Sequence, residues 1–541
     1  MQGQDLRIGI VGCGMIALEH IRNLGVLKRR GAAISVDVLC DSIESALDAA
    51  EGECESEGLE SERRRYDSLD TMAEEERDEL DCVILCTPNY MHHDHLMLIL
   101  RATWWAILAE KPLCTTISDA LAIVNEDAAR LRRWKAGTGA AAESAQLARH
   151  GANFLPIVWV AMEYRYMAPV AELLRRVQNG DAGRIWHATI REHRFPFLPK
   201  QQEWNKAAVK TGQTIVEKSC HYLDLLRQFK RGVRPARVAA FAGMDVNFKG
   251  SVYNGKECDI WDACMLLIEF EDGSRAFHEL CMYAEGTRNQ EQIEVVGERA
   301  KIEVAVPEAV VRFGPRDGGS DGVVETSVGV DEEALAAGTH FGSVYFELMR
   351  FVEGVRGKRS VEVTTEDGAW AVALGVAATL AATERRVVDV DAVLPWGILP
   401  SERGQRGRVG SVRSQGGVVM GPPVDYTPAG VAGAALHAGA SAAACGAALV
   451  MTGSGAGAVP GSGSSSSSPC SASLPSDASH CSDTDGARSL TASYPGERVL
   501  LAAAGWSPAL LRVDCGIASE RRGGCCLHAS KCAGMAGSAK L

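Results

Sequence analysis

Residues 214–229, "TIVEKSCHYLDLLRQF", space Glu217, His221 and Asp224 four and three residues apart, so a helix over this stretch carries all three on one face. A histidine among carboxylates suits proton transfer: its ordinary pKa near ~6.5 lets it take or give a proton at neutrality, while a carboxylate orients it or holds a hydroxyl. The wet side of an amphipathic helix shows the same spacing, so periodicity alone does not separate the two readings.

A second pattern lies near the start. "GIVGCGMIA" supplies Gly12, Gly14 and Ala17, with Met15 and Ile16 between them, directly after an apolar run and at the opening of a helix. Glycines at these positions permit a tight turn and close backbone approach, and the helix N-terminus presents free N–H groups to a pyrophosphate. A further apolar run ends at Asp41, where a carboxylate can accept from an adenosine ribose and repels a 2′-phosphate. The expected cofactor is therefore NAD, with NADP disfavoured.

These residues need a frame. Over 6–120, short apolar strands ("LRIGIVG", "ISVDVLCD", "DCVILCTP", "WAILAEKP") alternate with helices, which reads as a doubly wound parallel sheet of α/β class. Residues 136–153, rich in Gly and Ala, read as a loop insertion after a domain at 1–135. From 154 to 398 longer β-type segments dominate, with a turn at "FEDGS" and helical patterns at 344–356 and 367–383. That predicts a second, α+β domain with a largely antiparallel sheet. From 399 to 541 the composition collapses to Gly, Ser, Ala and Pro and reads as a low-complexity, disordered tail.

Composition narrows the function classes. The net charge of −13 argues against a polyanionic partner such as nucleic acid. The 17 cysteines form no pair at zinc spacing, and those in the first 400 residues sit in apolar runs, as reduced thiols do. His92, His93 and His95 beside Asp94 read as a helix-start cluster, and no metal is expected. The first strand at Leu6 leaves no room for a leader, and residues 428–452 are too weakly apolar to span a membrane. A cytoplasmic protein with no membrane partner is expected.

"CTPNYMHHDH" followed by "AEKPLCTT", then "VAMEYRYMAPV", "EWN", "TIVEKSCHYLDLL", "HFGSVYFELMRFVEG" and "VEVTTEDGAWAVALGVAATL" resemble, in this order, the Gfo/Idh/MocA oxidoreductases, the family of glucose–fructose oxidoreductase and inositol dehydrogenase. The resemblance spans about residues 6–395. It implies a Rossmann domain, a substrate domain whose sheet builds homo-oligomers (a dimer or tetramer), and NAD(P)-dependent hydride transfer on a sugar, inositol or related polyol. It maps the family's catalytic lysine onto Lys111, and its acid and histidine slots onto Glu217 and His221. It also sets Thr87, Pro88, Asn89, His92 and Glu110 beside the cofactor. Glu217 stands where Asp is commoner, and Lys218 adds a cation next to it. Tyr164, Arg165, Trp204, Asn205 and Lys218 are candidate substrate contacts, and aromatic packing explains Tyr164 and Trp204 equally well. On this reading His221 is the main acid/base, Lys111 polarises the reacting oxygen, and a buried Lys111 beside a nicotinamide cation has a lowered pKa. Two other functions fit the same frame: a redox-neutral, NAD-dependent cleavage of glycosides, and a dinucleotide sensor without chemistry.

Overall fold

The computed structural model describes residues 4–59, 61–137, 144–253 and 255–402. The first sheet has six parallel strands in the order β3-β2-β1-β4-β5-β6. They are β1 (Leu6–Val11), β2 (Ile34–Cys40), β3 (Arg64–Tyr66), β4 (Cys82–Leu85), β5 (Ala106–Glu110) and β6 (Val158–Ala161). Helices α1 (Met15–Arg29), α2 (Glu44–Ser56), α3 (Leu69–Glu75), α4 (His92–Ala102) and α5 (Ile117–Ala136) make the connections. Strands β4, β5 and β6 are buried at every residue, as expected of parallel strands covered on both faces. Helix α5 starts on the Thr116 side chain, which accepts from the Asp119 N–H, and stops at Gly137 in the left-handed region.

Two sequence expectations change here. Strand β6 hydrogen-bonds to β5, so the first sheet closes beyond residue 135 and the boundary expected at 154 moves past Ala161. The expected loop at 136–153 is partly a helix, α6 (Ala145–His150). It is stitched to the start of β4: Gln146 Nε2 donates to Arg77 O and Leu80 O at 2.9 and 2.7 Å, and Arg149 pairs with Asp81 at 2.7 Å. Single-residue periodicity missed it because these anchors are polar contacts far away in sequence. Residues 138–143 of that stretch lie outside the described residues.

The second sheet has nine strands, in the order β16-β15-β14-β13-β7-β12-β11-β8-β17. They are β7 (Ile185–His193), β8 (Pro235–Gly243), β11 (Ala263–Phe270), β12 (Arg275–Cys281), β13 (Glu291–Gly297), β14 (Ala300–Val306), β15 (Val310–Pro315), β16 (Val324–Ser327) and β17 (Val388–Asp389). Strands β9 (Val252–Tyr253) and β10 (Lys256–Glu257) form a small separate ribbon. Every pairing in the nine-stranded sheet is antiparallel except β7 with β12. The expected largely antiparallel sheet is present.

Helices α7 (Ala168–Gln178), α10 (Cys220–Phe229) and α13 (Thr365–Glu384) pack on this sheet; α8 (Ala208–Thr211) and α9 (Thr214–Glu217) pack beside them, and α11 (Glu332–Ala336) and α12 (Ser343–Val355) pack against α1. The helix expected over 214–229 is thus two helices, broken at Lys218 and Ser219. Helix α13 begins with a reciprocal cap between Thr364 and Asp367. The ordered chain also continues past 398: Leu399 is fully buried, and Glu402 pairs with Arg234 at 2.7 Å. From 403 onward the expected tail lies outside the described residues.

Candidate active site

The nucleotide loop forms where β1 stops. Gly12 has φ 85°, and a Cβ there would sit 2.8 Å from the backbone of Cys86 and Thr87, so only glycine fits. Gly14 caps α1 without a side chain, and a Cβ there would meet nothing within 4 Å, which leaves open space over the helix N-terminus. Met15 borders that space at 51% exposure, Ile16 is half-buried, and Ala17 is buried against the sheet. Asp41 follows β2; its Oδ2 accepts from the Cys13 N–H at 2.8 Å and its Oδ1 from the Ile43 N–H at 2.9 Å. The carboxylate therefore pins the glycine loop and retains further acceptor capacity for a ribose. These features fit NAD: an uncapped helix N-terminus, a glycine cradle and an acid closing the second strand.

The segment after β4 forms the opposite rim. Thr87 Oγ1 lies 3.1 Å from His95 Nδ1, Pro88 leads into a short 3₁₀ turn, and Asn89 is buried with its Nδ2 unpartnered. His92 plays another part than contact with the cofactor. It is fully buried, with Nδ1 2.8 Å from Pro112 O and Nε2 2.8 Å from Thr87 O, so it staples the two rims from behind. Glu110, at the end of β5, lies 2.7 Å from His20 Nε2 of α1. Burial pushes the Glu110 carboxyl up, but that histidine brings it below the usual range.

Lys111 crosses from the first sheet to the second domain: its Nζ donates to the carbonyl of Glu217 at 3.4 Å. Burial pulls this lysine down, yet Cys220, Glu163, Glu110 and Glu217 around it lift it above its ordinary value, opposite to the expected lowering. Glu217 is buried; its Oε1 pairs with Lys200 at 3.2 Å and its Oε2 has no hydrogen-bond partner. His221 is 2% exposed and lies flat on Tyr164, with ring centroids 4.1 Å apart and planes within 8°. Burial, with Lys111 and Lys218 beside it, holds His221 well below its usual pKa, so its ring rests neutral.

The other candidates divide. Lys218 Nζ donates to the Tyr164 hydroxyl at 2.6 Å and pairs with Glu192 at 3.1 Å; burial lowers it to about 8. Trp204 and Asn205 lie on the 3₁₀ segment Gln201–Lys206: Lys200 sits 4.5 Å over the indole of Trp204, and Asn205 keeps a buried, unpartnered Oδ1. Arg165 leaves the set. It is fully buried, its Nε donates to Asp224 at 2.6 Å and its Nη1 to Glu362 O at 2.6 Å. Asp224 likewise turns from the stripe of Glu217 and His221 into this internal pair, so the stripe is neither wet nor wholly catalytic.

Sequence reasoning missed Glu163, His340, Glu19, His20 and Lys200. Glu163 Oε2 lies 3.6 Å from His221 Nδ1, and His340 Nδ1 lies 2.9 Å from Glu19 Oε1. The only linear signal was their place inside quoted segments: Glu163 before Tyr164, and His340 before the helical run at 344–356. Among the described residues, no three His, Cys, Asp or Glu side chains converge as a metal site, and no helix is long and apolar enough to cross a membrane.

A parallel sheet in 3-2-1-4-5-6 order with a glycine loop at its carboxyl edge defines a dinucleotide-binding fold. Residues 6–133 match the model for an oxidoreductase-family NAD-binding Rossmann fold, and residues 175–390 match that family's C-terminal alpha/beta domain. The chain belongs to this family, the Gfo/Idh/MocA oxidoreductases, and its cofactor is NAD. It is 22% identical to the inositol 2-dehydrogenase of Rhodococcus jostii over 412 residues, 74% of this chain and 97% of that protein. It is 30% identical to that of Mycolicibacterium smegmatis over 124 residues, 23% of this chain and only 32% of that protein. The solved oxidoreductase domain protein from Kribbella flavida has the same fold, with TM-score 0.58 and 19% identity over 72% of this chain and 99% of its own.

Proposed function

We propose that this protein is a dehydrogenase that oxidises a secondary hydroxyl of a cyclic polyol or sugar, or reduces the corresponding ketone. The observation that carries the reading is the reach of Lys111, at the carboxyl end of the first sheet, to the Glu217 carbonyl four residues before a neutral, buried His221. The two relatives bearing the name inositol 2-dehydrogenase favour a cyclic polyol.

The nicotinamide ring, when bound, supplies the hydride acceptor. His221 Nε2 takes the hydroxyl proton, because Nδ1 points toward Glu163 and the ring is held neutral. Lys111, kept cationic by its surrounding carboxylates, donates to the reacting oxygen as negative charge develops there. The free Oε2 of Glu217 accepts from a neighbouring hydroxyl, while Lys200 fixes the other oxygen. Trp204 and Asn205 line the substrate side, and Tyr164 holds the His221 ring plane by stacking. A homo-oligomer, a dimer or tetramer, fits the outward apolar residues Phe241, Met265 and Leu267 on the second sheet.

The test is reduced-nicotinamide absorbance with the full chain, NAD and separately NADP, across inositols, hexoses and uronic acids. NADH formed with one compound is expected. His221→Ala and Lys111→Ala are each expected to lower kcat about 10²–10⁴-fold, the contribution of a positioned proton-transfer group. His221 is active when neutral, so its contribution is lost as pH falls through its depressed pKa, and the acid limb of kcat/KM should lie below pH ~6.5. No turnover with any compound, with NAD still bound, overturns the reading.

A further inference from the structure

A buried histidine that accepts a proton on every turnover must also release it. His221 is 2% exposed, and a bound substrate and nucleotide would close the cleft side, where Lys111 is half-buried. Behind the ring, His221 Nδ1 and Glu163 Oε2 face each other at 3.6 Å, and both lack hydrogen-bond partners. That gap is too long for a hydrogen bond, and it closes with a few tenths of an ångström of movement, as separations in a resting site commonly do. The other oxygen of Glu163 lies 3.9 Å from His340 Nε2. His340 is the first of these groups to meet solvent, its side chain being 28% exposed. Its Nδ1 is anchored 2.9 Å from Glu19 Oε1, which also accepts from the Thr339 and His340 N–H groups at 3.1 and 3.3 Å.

We propose that Glu163 and His340 form a proton-exit relay, from His221 through the two oxygens of Glu163 to His340 and water; the proposal rests on His221 being the proton acceptor. The protonated ring gives its Nδ1 proton to Glu163 Oε2. The opposite oxygen of Glu163 passes a proton to His340 Nε2, and His340 discharges to solvent. One proton enters at His221 Nε2 and one leaves from Nδ1; rotation of the Glu163 carboxyl carries the proton from one oxygen to the other, and tautomerisation of the neutral ring restores Nδ1–H, so both groups return to their starting state, and reduction runs the path backwards. The alternative exit through Glu217 is poorer, because its Oε1 already carries the Lys200 ammonium.

The charged groups on all sides are consistent with a relay. Glu163 faces His340, Glu110, Lys111 and Glu347 besides His221. Burial raises its pKa, which brings it toward exchange with an imidazole. His340 faces Glu19, Glu163 and Lys218; burial pulls it down, and the two carboxylates lift it above its ordinary value, so it can hold the arriving proton. Tyr164 lies against both rings, its centroid 4.1 Å from that of His221 and 6.4 Å from that of His340.

The first arm of the test is kinetic. Glu163→Gln keeps shape and burial and removes the shuttle. It should lower kcat about 10²-fold with KM little changed, and raise the solvent deuterium effect on kcat. His340→Ala should lose activity that added imidazole restores, since a diffusible base can replace a group at the surface. Wild-type kcat in Glu163→Gln, or a loss confined to KM with no imidazole rescue of His340→Ala, overturns the relay. The second arm needs no turnover: ¹⁵N-histidine titration of the full chain without nucleotide. Glu163→Gln should move the midpoints of both His221 and His340, and midpoints that stay put overturn the relay. If the wild type oxidises no polyol, the proposed function fails and this titration alone judges the relay.

Discussion

The two sheets use similar residues in opposite ways. In the six-stranded sheet, β4 and β5 are buried at every position, with helices on both faces. In the nine-stranded sheet, β11 alternates: Leu266 and Ile268 are each 1% exposed, while Met265 and Leu267 are 52% and 54% exposed. A sheet covered on both sides has no free face, so its chemistry is confined to the ends of its strands. Gly12, Asp41, Thr87 and Lys111 all follow the carboxyl ends of β1, β2, β4 and β5. The one-sided sheet instead supplies a floor on which helix α10 stands, and its strands add buried polar groups from below, such as Glu192 of β7 against Lys218. The fixed geometry of the first sheet and the layered geometry of the second meet at the contact of Lys111 with Glu217.

This comparison can be broken by mutation. The largest stability loss is expected in the helix layer of the second domain: Asp224→Ala takes the nearer of two carboxylates, Asp224 and Asp367, from the fully buried Arg165 guanidinium and should cost about 3–5 kcal/mol. Denaturant unfolding checks it, and a loss under ~1 kcal/mol would mean the layer relaxes freely. Leu108→Ala in β5 and Leu266→Ala in β11 should each cost about 2–5 kcal/mol, since both side chains are buried.

The Glu19–His340 contact, which ties α1 to the second domain, should contribute about 1.5–3 kcal/mol as a charged hydrogen bond. Its pH window follows from the two shifts. Burial opposes ionisation of Glu19, but His340 lowers its pKa from 4.5 to about 2, so its share is complete above pH 4.5 and fades as pH falls toward 2. The pKa of His340 is raised, so its share is complete below 6.5 and fades as pH rises through the folded value. The stability difference between wild type and Glu19→Gln should therefore peak between these limits; a difference flat from pH 3 to 9 would rule the pair out as a stabiliser. The smallest effect sharpens the contrast: Leu267→Ala, one residue from Leu266, should stay within about 0.5 kcal/mol for a monomer. A larger loss that depends on protein concentration would mean that the open face is covered by another copy of the chain.

Much of the frame was legible because it is written in local patterns. The strand at Leu6, the helix behind Gly14 and the acid at Asp41 each follow from periodicity and from a glycine that no other residue can replace. The departures share one cause. The helix Ala145–His150 is held by Gln146 and Arg149 on carbonyls and a carboxylate some 70 positions earlier, contacts that no window along the chain contains. Arg165 read as a substrate contact because it neighbours Tyr164, whereas its partner, Asp224, lies 59 residues away.

By itself the sequence determined the class of the protein and the cofactor loop, and its resemblance to the family singled out Lys111, Glu217 and His221 as candidates, since these are carried by short motifs in a fixed order. Only the tertiary structure decided which ionisable groups share one buried space. It drew Glu163, His340, Lys200 and the adjacent Glu19 and His20 from four separate segments around the cleft, and it took His92, Arg165 and Asp224 away from it. The physical reason is that charge, burial and hydrogen bonding act through distances of a few ångströms, whatever the separation along the chain.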